Sequence, residues 1–191
     1  FIGIQLVHKE IDKKTIYSLL AKPVARYQFI LGKYLGLVCT LAVNVSVMIF
    51  GIYASIFYLR HSFQVGDIQI LFAGVLILIE LMVVVAIALC FSTFSTPALS
   101  ALFTFFLFVI GHFNTDIQAY GLASGSFSVK VISSTVYYLL PNFENFDVIS
   151  STAHGNFMAS HLYLESLFYG LVYSLAVVLI SILIFERRNF K

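Results

Sequence analysis

Charged side chains are scarce in this sequence: only 10% of the 191 residues are charged, whereas 60% are hydrophobic. A soluble domain carries roughly a quarter of charged residues, because it has to cover its core with a polar surface. The composition therefore excludes a soluble globular protein. The 20 Phe and 11 Tyr also exclude a disordered chain, which is poor in aromatic residues. Together with a mean hydropathy of +0.97, these values predict an integral membrane protein.

The sequence also has few cysteines, a small net charge and neither of two common catalytic motifs. Cys39 and Cys90 both lie in apolar segments, so we expect two buried, small hydrophobic side chains and neither a disulfide nor a metal cluster. A net charge of +2 is too small to indicate nucleic-acid binding. The sequence has no Gly-rich phosphate loop and no Gly-x-Ser-x-Gly motif. We therefore expect that this chain is not an enzyme, has no metal site and does not bind ATP.

Long uncharged segments predict an all-α, polytopic membrane protein. Residues 34–59 carry no charge, and residues 68–115 carry only Glu80. A helix over 68–115 would be about 72 Å long at ~1.5 Å per residue, more than twice the ~30 Å hydrocarbon core, so it must fold back. Pro97 suits the first turn of the returning helix. The predicted complete spans are 34–59, 68–91, 97–115 and 166–185, and residues 1–8 are expected to end a further span.

The distribution of basic residues predicts the orientation in the membrane. Four spans place the chain before residue 34 and the chain after residue 185 on the same side. Of the 11 Lys and Arg residues, all but Arg60 and Lys130 then lie on that side, which is therefore predicted to be cytoplasmic, with the C-terminus. Residues 116–165 are predicted to be external. Their apolar stretch 129–140 is too short to span, and we expect it to lie at the interface or to dip partway into the membrane.

Residues 9–33 form the predicted cytoplasmic segment between two spans. Asp12 can cap a short helix over residues 12–21 that has an apolar face, and Pro23 should end it by forcing Lys22 out of the α region. A second helix should restart near Arg26 and continue into the first complete span. Such a short helix can transmit a push from a soluble partner. The alternative is an anchor that merely lies on the lipid surface.

This segment resembles the signature of ABC-2 type transporter permeases, and in particular the group associated with the maturation of multi-copper enzymes. In that family the segment follows the second span and includes the coupling helix, which docks on the ATP-binding subunit. Residues 138–147 are similar to the external Pro-Asn stretch of the family, and residues 185–190 to its basic tail. The residues that carry the resemblance in the first segment are Glu10, Thr15, Leu19, Leu20, Pro23, Arg26, Gly32, Lys33 and Gly36.

The resemblance implies a type V exporter-like permease of six spans, in which the first span and most of the second are missing here, with re-entrant helices before the last span. It implies a bacterial inner-membrane subunit that works with an ATP-binding cassette ATPase, which binds ATP and Mg²⁺, and with a second permease chain, identical or not. The function would be substrate translocation, mostly export. The residues expected to couple to the ATPase are Glu10, Thr15, Leu19, Leu20, Pro23 and Arg26. The alternative is a non-transporting scaffold or assembly factor that anchors a cytoplasmic partner in the lipid membrane.

Glu80 lies in the middle of the second predicted span, where a carboxylate costs roughly 2.5–3.5 kcal/mol unless it faces protein or water. Two interpretations are open: a functional carboxylate on a substrate path or proton relay, or a neutral or hydrogen-bonded glutamate at a helix–helix contact. His112, His154 and His161 fall on the predicted external side and lack the spacing of a metal site. We expect them to be isolated interfacial residues.

Overall fold

The computed structural model describes residues 25–62, 64–146 and 160–187, and within these ranges the regular structure is entirely helical. Two short 3-10 turns, Val65–Asp67 and Phe143–Phe146, accompany the α-helices. The described ranges contain no strand, so the chain is all-α, as the sequence predicts. The α-helices are α1 Arg26–Arg60, α2 Ile68–Ser92, α3 Pro97–His112, α4 Asn114–Ala123, α5 Phe127–Leu139 and α6 Ser160–Arg187.

The long helix α1 begins at Arg26, where the sequence predicts the restart, and it includes both residues 26–33 and the predicted span 34–59. The preceding Ala25 is extended, and its backbone N–H donates to the side chain of Gln28 at 3.1 Å, which satisfies a polar group at the helix start. The 35 residues of α1 make a helix about 52 Å long. Because this exceeds the ~30 Å hydrocarbon core, α1 extends beyond the apolar layer.

Helices α2 and α3 form an antiparallel hairpin whose turn covers residues 93–96. The Thr93 hydroxyl donates to the Cys90 carbonyl at 2.7 Å and satisfies one of the last carbonyls of α2. Pro97 is the first residue of α3, where its fixed φ suits the helix and its missing N–H costs no hydrogen bond. The chain thus folds back where the sequence predicts it.

The third predicted span, residues 97–115, differs from the structure at its C-terminal end. Helix α3 stops at His112, and α4 continues from Asn114 at an angle of 57°. Alone, α3 is about 24 Å long, shorter than the hydrocarbon core. Phe113 lies at the bend with φ −98° and ψ 14°, outside helical geometry. This segment is long and apolar enough for a span only when α3 and α4 are taken together, and the bent pair is then either a broken span or a re-entrant loop.

Helices α4 and α5 pack against each other within the predicted external segment 116–165. Gly125 provides the turn between them with φ +66°, a conformation that favours glycine. Gly121 lies so close to the Ser133 side chain that a Cβ would not fit. The helix α5 covers most of the apolar stretch 129–140. Further along, α6 begins at Ser160, six residues before the predicted span 166–185, and ends at Arg187.

Helix α2 is the centre of the bundle and lies against α1, α3 and α6. One apolar cluster joins the middle of α2 to Phe143 and Phe146 of the second 3-10 turn. Another joins Ile30 near the start of α1 to Leu89 near the end of α2 and Phe185 near the end of α6. The start of α1 and the ends of α2 and α6 therefore lie at the same end of the bundle.

Candidate functional site

The middle of the bundle contains an acidic and a basic side chain in contact. Glu80 lies at the midpoint of α2, and its Oε1 is 3.5 Å from Nε2 of His112, the last residue of α3. The side chains are 16% and 36% exposed, respectively, so neither is sealed inside the protein. Glu80 is thus at a contact between two helices. His112 contacts Glu80 and lies at the same depth in the bundle. The expectation of an isolated interfacial histidine is therefore wrong for this residue.

The hydrogen bonds of His112 define which ring nitrogen faces the carboxyl group. Its Nδ1 lies 3.2 Å from the carbonyl oxygen of Phe108. Because a carbonyl oxygen can only accept, Nδ1 carries a proton and donates it. Nε2 is therefore the nitrogen directed at Glu80, and a single proton on either partner suffices to link Nε2 and Oε1.

Aromatic rings hold the imidazole of His112 in place. The Phe108 ring lies 4.5 Å from it and the Phe143 ring 5.6 Å, both measured between ring centres, and Phe143 is stacked at an interplanar angle of 27°. Phe143 is only 1% exposed. The neighbouring Gly111 packs so tightly on Phe143 and on the Pro141 carbonyl that a Cβ would not fit. The predicted external Pro-Asn stretch thus returns to the helices and touches the intramembrane pair.

A network of hydrogen bonds fixes this returning stretch, residues 141–146. The Asn142 backbone N–H donates to the Tyr169 hydroxyl of α6 at 2.9 Å, and its side-chain amide donates to Thr115 Oγ1 of α4 at 3.4 Å. The Asn142 side-chain oxygen accepts the Glu144 N–H at 3.2 Å. Ser166 of α6 donates to the Asn145 carbonyl at 2.9 Å. The stretch is therefore tied to both α4 and α6.

Sequence reasoning missed the contact between Glu80 and His112, although a signal was present. Glu80 and His112 lie on the two arms of the hairpin. Each is about four helical turns away from the connection at residues 93–96. Residues equally distant from the turn of an antiparallel hairpin lie at similar depths. The assignment of residues 97–115 to one straight span hid this relation, because it placed His112 at the external surface.

At the other end of the bundle, Arg26 joins the first and last helices. Its Nη1 donates to the Glu186 carbonyl at 2.9 Å, one of the last carbonyls of α6. One turn further along α1, the Phe29 ring stacks on Phe185 at 5.8 Å between centres, and the Lys33 ammonium lies 4.6 Å from the Phe29 ring centre. Arg26, the last of the predicted coupling residues, is thus attached to the end of α6.

Most of the predicted coupling residues lie outside the described ranges. Arg26 is described, whereas Glu10, Thr15, Leu19, Leu20 and Pro23 are not, and neither is His154. His161 is exposed at the start of α6.

Cys39 is exposed on α1 and Cys90 is half-buried, so the expectation of two buried cysteines is wrong for Cys39. Within the part of the chain that the structure describes, no group of three or more metal-ligating side chains occurs.

These features define a class of protein. Within the described ranges, three helices are long and apolar enough to cross a membrane, or four when α3 and α4 count as one broken span, so the chain is a multi-pass helical membrane protein. A family model of ABC-2 family transporter proteins matches residues 1–190, and the chain belongs to this family. It is a membrane permease component of an ABC transporter, and the permease is not itself catalytic. No curated protein and no solved structure matches the sequence.

Proposed function

We propose that this chain couples ATP hydrolysis by a separate ATP-binding subunit to the export of a substrate across the bacterial inner membrane. ATP and Mg²⁺ would bind to that subunit, and a second permease chain, identical or different, would complete the transporter. The residues proposed to dock on the ATP-binding subunit and to transmit its movement are Glu10, Thr15, Leu19, Leu20, Pro23 and Arg26. Membership of the ABC-2 family supports this proposal.

The observation that carries the proposal is the attachment of Arg26 to the end of α6. The predicted coupling helix, residues 12–21, precedes α1 in the chain, and the Arg26–Glu186 hydrogen bond and the Phe29–Phe185 stack link the start of α1 to α6. A force applied to residues before Arg26 therefore reaches two long helices at once. A scaffold that merely anchors a partner would not require this connection.

The distribution of charge supports a cytoplasmic location for this end. Arg26, Lys33 and Arg187 are the described basic residues at the joined ends of α1 and α6. The opposite end of α1 carries Arg60, which lies 3.4 Å from Asp67 and is thereby balanced. An excess of Lys and Arg marks the cytoplasmic side of a membrane protein. We accordingly propose that the C-terminus is cytoplasmic.

The first test is gentle purification of the protein from its native membrane, followed by mass spectrometry of what accompanies it. A stoichiometric subunit with a Gly-rich phosphate loop is the expected result. Its absence, under conditions that preserve a known ABC transporter complex, would refute the proposal and favour the scaffold.

A second test addresses the docking role directly. Replacing Leu20 with Asp places a charge on the predicted apolar face of the coupling helix and should uncouple ATP hydrolysis from transport. Lys13→Asp places the same side chain on the predicted opposite face and serves as the matched control. Transport and ATPase activity are measured on the same preparation. Full coupling in the Leu20→Asp variant would contradict the docking role of Leu20.

A further inference from the structure

The bend of 57° between α3 and α4 is not explained by the residue types at this point of the chain. Sharp helix kinks arise at proline, at Gly/Ser pairs, at π-bulges, or where a side chain or a water molecule enters the backbone hydrogen-bond ladder. Residues 108–118 contain no proline, no serine and no π turn. The hydrogen bonds on either side of Phe113 show instead how the ladder is interrupted.

The backbone ladder stops at Phe113 and resumes at Ile117. The Phe113 N–H is shared by the carbonyls of Val109 and Ile110, at 3.4 Å and 3.2 Å, and the next bond runs from the Ile117 N–H to the Phe113 carbonyl at 2.9 Å. In the described ranges no backbone hydrogen bond joins α3 directly to α4. The bend thus releases carbonyl and N–H groups of residues 111–116 from the ladder.

Asn114, the first residue of α4, carries a buried oxygen atom that needs a hydrogen-bond donor. The residue is fully buried, and among the residues that the structure describes its Oδ1 has no partner. Its Nδ2 donates to the Tyr137 carbonyl at 3.2 Å. Because Pro141, four residues further along, has no N–H for that carbonyl, the Asn114 amide supplies the missing donor. This fixes the orientation of the amide, since a flip would turn Oδ1 towards another acceptor.

The returning stretch covers one side of this break. The Phe143 ring packs against Gly111 so closely that a Cβ would not fit, and Phe143 itself is only 1% exposed. The Asn142 amide donates to Thr115 Oγ1 at 3.4 Å, one residue beyond Asn114. The released backbone groups and the Asn114 oxygen therefore lie beside a second segment of the protein, which separates them from lipid and from bulk solvent.

The polar groups at the break select the ligand that fits there. A cation would meet the N–H groups at the start of α4, which form the positive end of a helix dipole. An anion would meet the lone pairs of the Asn114 oxygen and of the last α3 carbonyls. A water molecule can donate to these oxygen atoms and accept from an N–H group, and buried waters typically bond to groups that are otherwise unsatisfied. Irregular backbone inside a membrane requires such satisfaction.

We propose that one buried water molecule binds in the α3–α4 break, donates to Asn114 Oδ1 and to a carbonyl oxygen of residues 111–112, and accepts an N–H group of α4. The water replaces ladder bonds that the bend removes, and so it stabilises the two helices at an angle. Because a water molecule can exchange its hydrogen-bond partners, the angle can change without leaving buried backbone groups unsatisfied. This inference does not depend on the proposed coupling to an ATP-binding subunit.

The test is X-ray radiolysis of the intact protein in lipid nanodiscs, followed by mass spectrometry. Radiolysis converts a bound water into a hydroxyl radical, which oxidises the side chains beside it even where bulk solvent does not reach. Phe143 is the reporter, and Phe146, which is 2% exposed and packs on Gly170 of α6, is the matched control. We expect Phe143 to be oxidised about tenfold faster than Phe146, because only Phe143 lies beside the proposed water. After rapid mixing with water that contains a heavy oxygen isotope, Phe143 should take up the isotope more slowly than the 82% exposed Phe127.

Two variants locate the water. Asn114→Leu removes the oxygen that binds it and should lower the oxidation of Phe143 to the level of Phe146, whereas Asn44→Leu makes the same replacement at an exposed site on α1 and should change nothing. Equal oxidation of Phe143 and Phe146 in the unaltered protein would overturn the proposal, whether or not either variant folds. Uptake of the isotope by Phe143 as fast as by Phe127 would show that bulk solvent enters the break, with the same consequence.

Discussion

Replacing both Glu80 and His112 should destabilise the protein less than the sum of the two single replacements. Glu80→Met replaces the carboxyl group with an apolar chain of similar length and leaves Nε2 of His112 without this acid. His112→Phe retains an aromatic ring against Phe108 and Phe143 but leaves the acid without the imidazole. The double variant removes both polar groups. Each single replacement removes a partner from a polar group that remains, so the loss from both replacements together should be smaller than the sum of the two single losses.

The expected coupling energy follows from the geometry of the pair. Nε2 and Oε1 are 3.5 Å apart, which is long for a hydrogen bond, and the two side chains retain 16% and 36% exposure. Polar pairs between transmembrane helices average about 0.6 kcal/mol in double-mutant cycles, with a maximum near 1.7 kcal/mol. We therefore expect a coupling of about 1 kcal/mol, or roughly a fivefold change in the ratio of folded to unfolded protein. The double variant should be less destabilised than the sum of the single variants by this amount.

The assay is reversible unfolding in mixed micelles with increasing denaturing detergent, followed by helical circular dichroism. The control cycle combines Glu80→Met with His161→Phe, because His161 is exposed at the start of α6 and distant from Glu80. The part of α6 that lies beside Glu80 is at Gly170, which packs on Ile79 and is about ten residues further along the helix. Distant residues should be additive within about 0.3–0.5 kcal/mol. A Glu80–His112 coupling no larger than that of the control would refute the energetic role of the pair.

Three further substitutions test the packing and the joined helix ends. Gly170→Val should cost about 1–3 kcal/mol of unfolding free energy, since a Cβ there would collide with a side chain of α2, whereas Gly51→Ala on open α1 surface should be neutral or stabilising by up to about 1 kcal/mol. Phe143→Ala should cost about 3–5 kcal/mol in the same assay, and Phe127→Ala, at an 82% exposed site, much less. Arg26→Gln should lower the substrate transported per ATP hydrolysed while leaving helicity unchanged; unaltered coupling would contradict the proposed transmission through Arg26.

Features set by local chemistry were predictable from the sequence. The return of the chain before Pro97 follows from the length of residues 68–115, which is too great for one span, and from the missing N–H of proline. The start of α1 at Arg26 follows from Pro23, which excludes the α conformation for the residue before it. Neither prediction requires knowledge of what the helices pack against, because each depends on neighbouring residues alone.

The break after α3 could not be predicted in this way, because it depends on contacts distant in the sequence. The residues around Phe113 include no proline that would signal a break, although polar residues begin at Asn114. The bend coincides with the packing of Gly111 on Phe143 and with a hydrogen bond from the Asn114 side chain to the Tyr137 carbonyl at 3.2 Å. Both partners come from the returning external segment. The contact of His112 with Glu80 was missed for the same reason.

The packing of α1 indicates how a push at the start of this helix would be taken up. Only 6% of its most apolar stretch is buried within the described chain, compared with 33% for α2. At one end α1 is joined to α6 through Arg26, and at the other the Tyr53 hydroxyl donates to the Asp67 carbonyl at 2.7 Å. Between these attachments α1 packs on α2, where Gly74 of α2 lies against Ile49. Because more of the buried core residues lie on α2 than on α1, we expect a push at Arg26 to displace α1 more readily than α2.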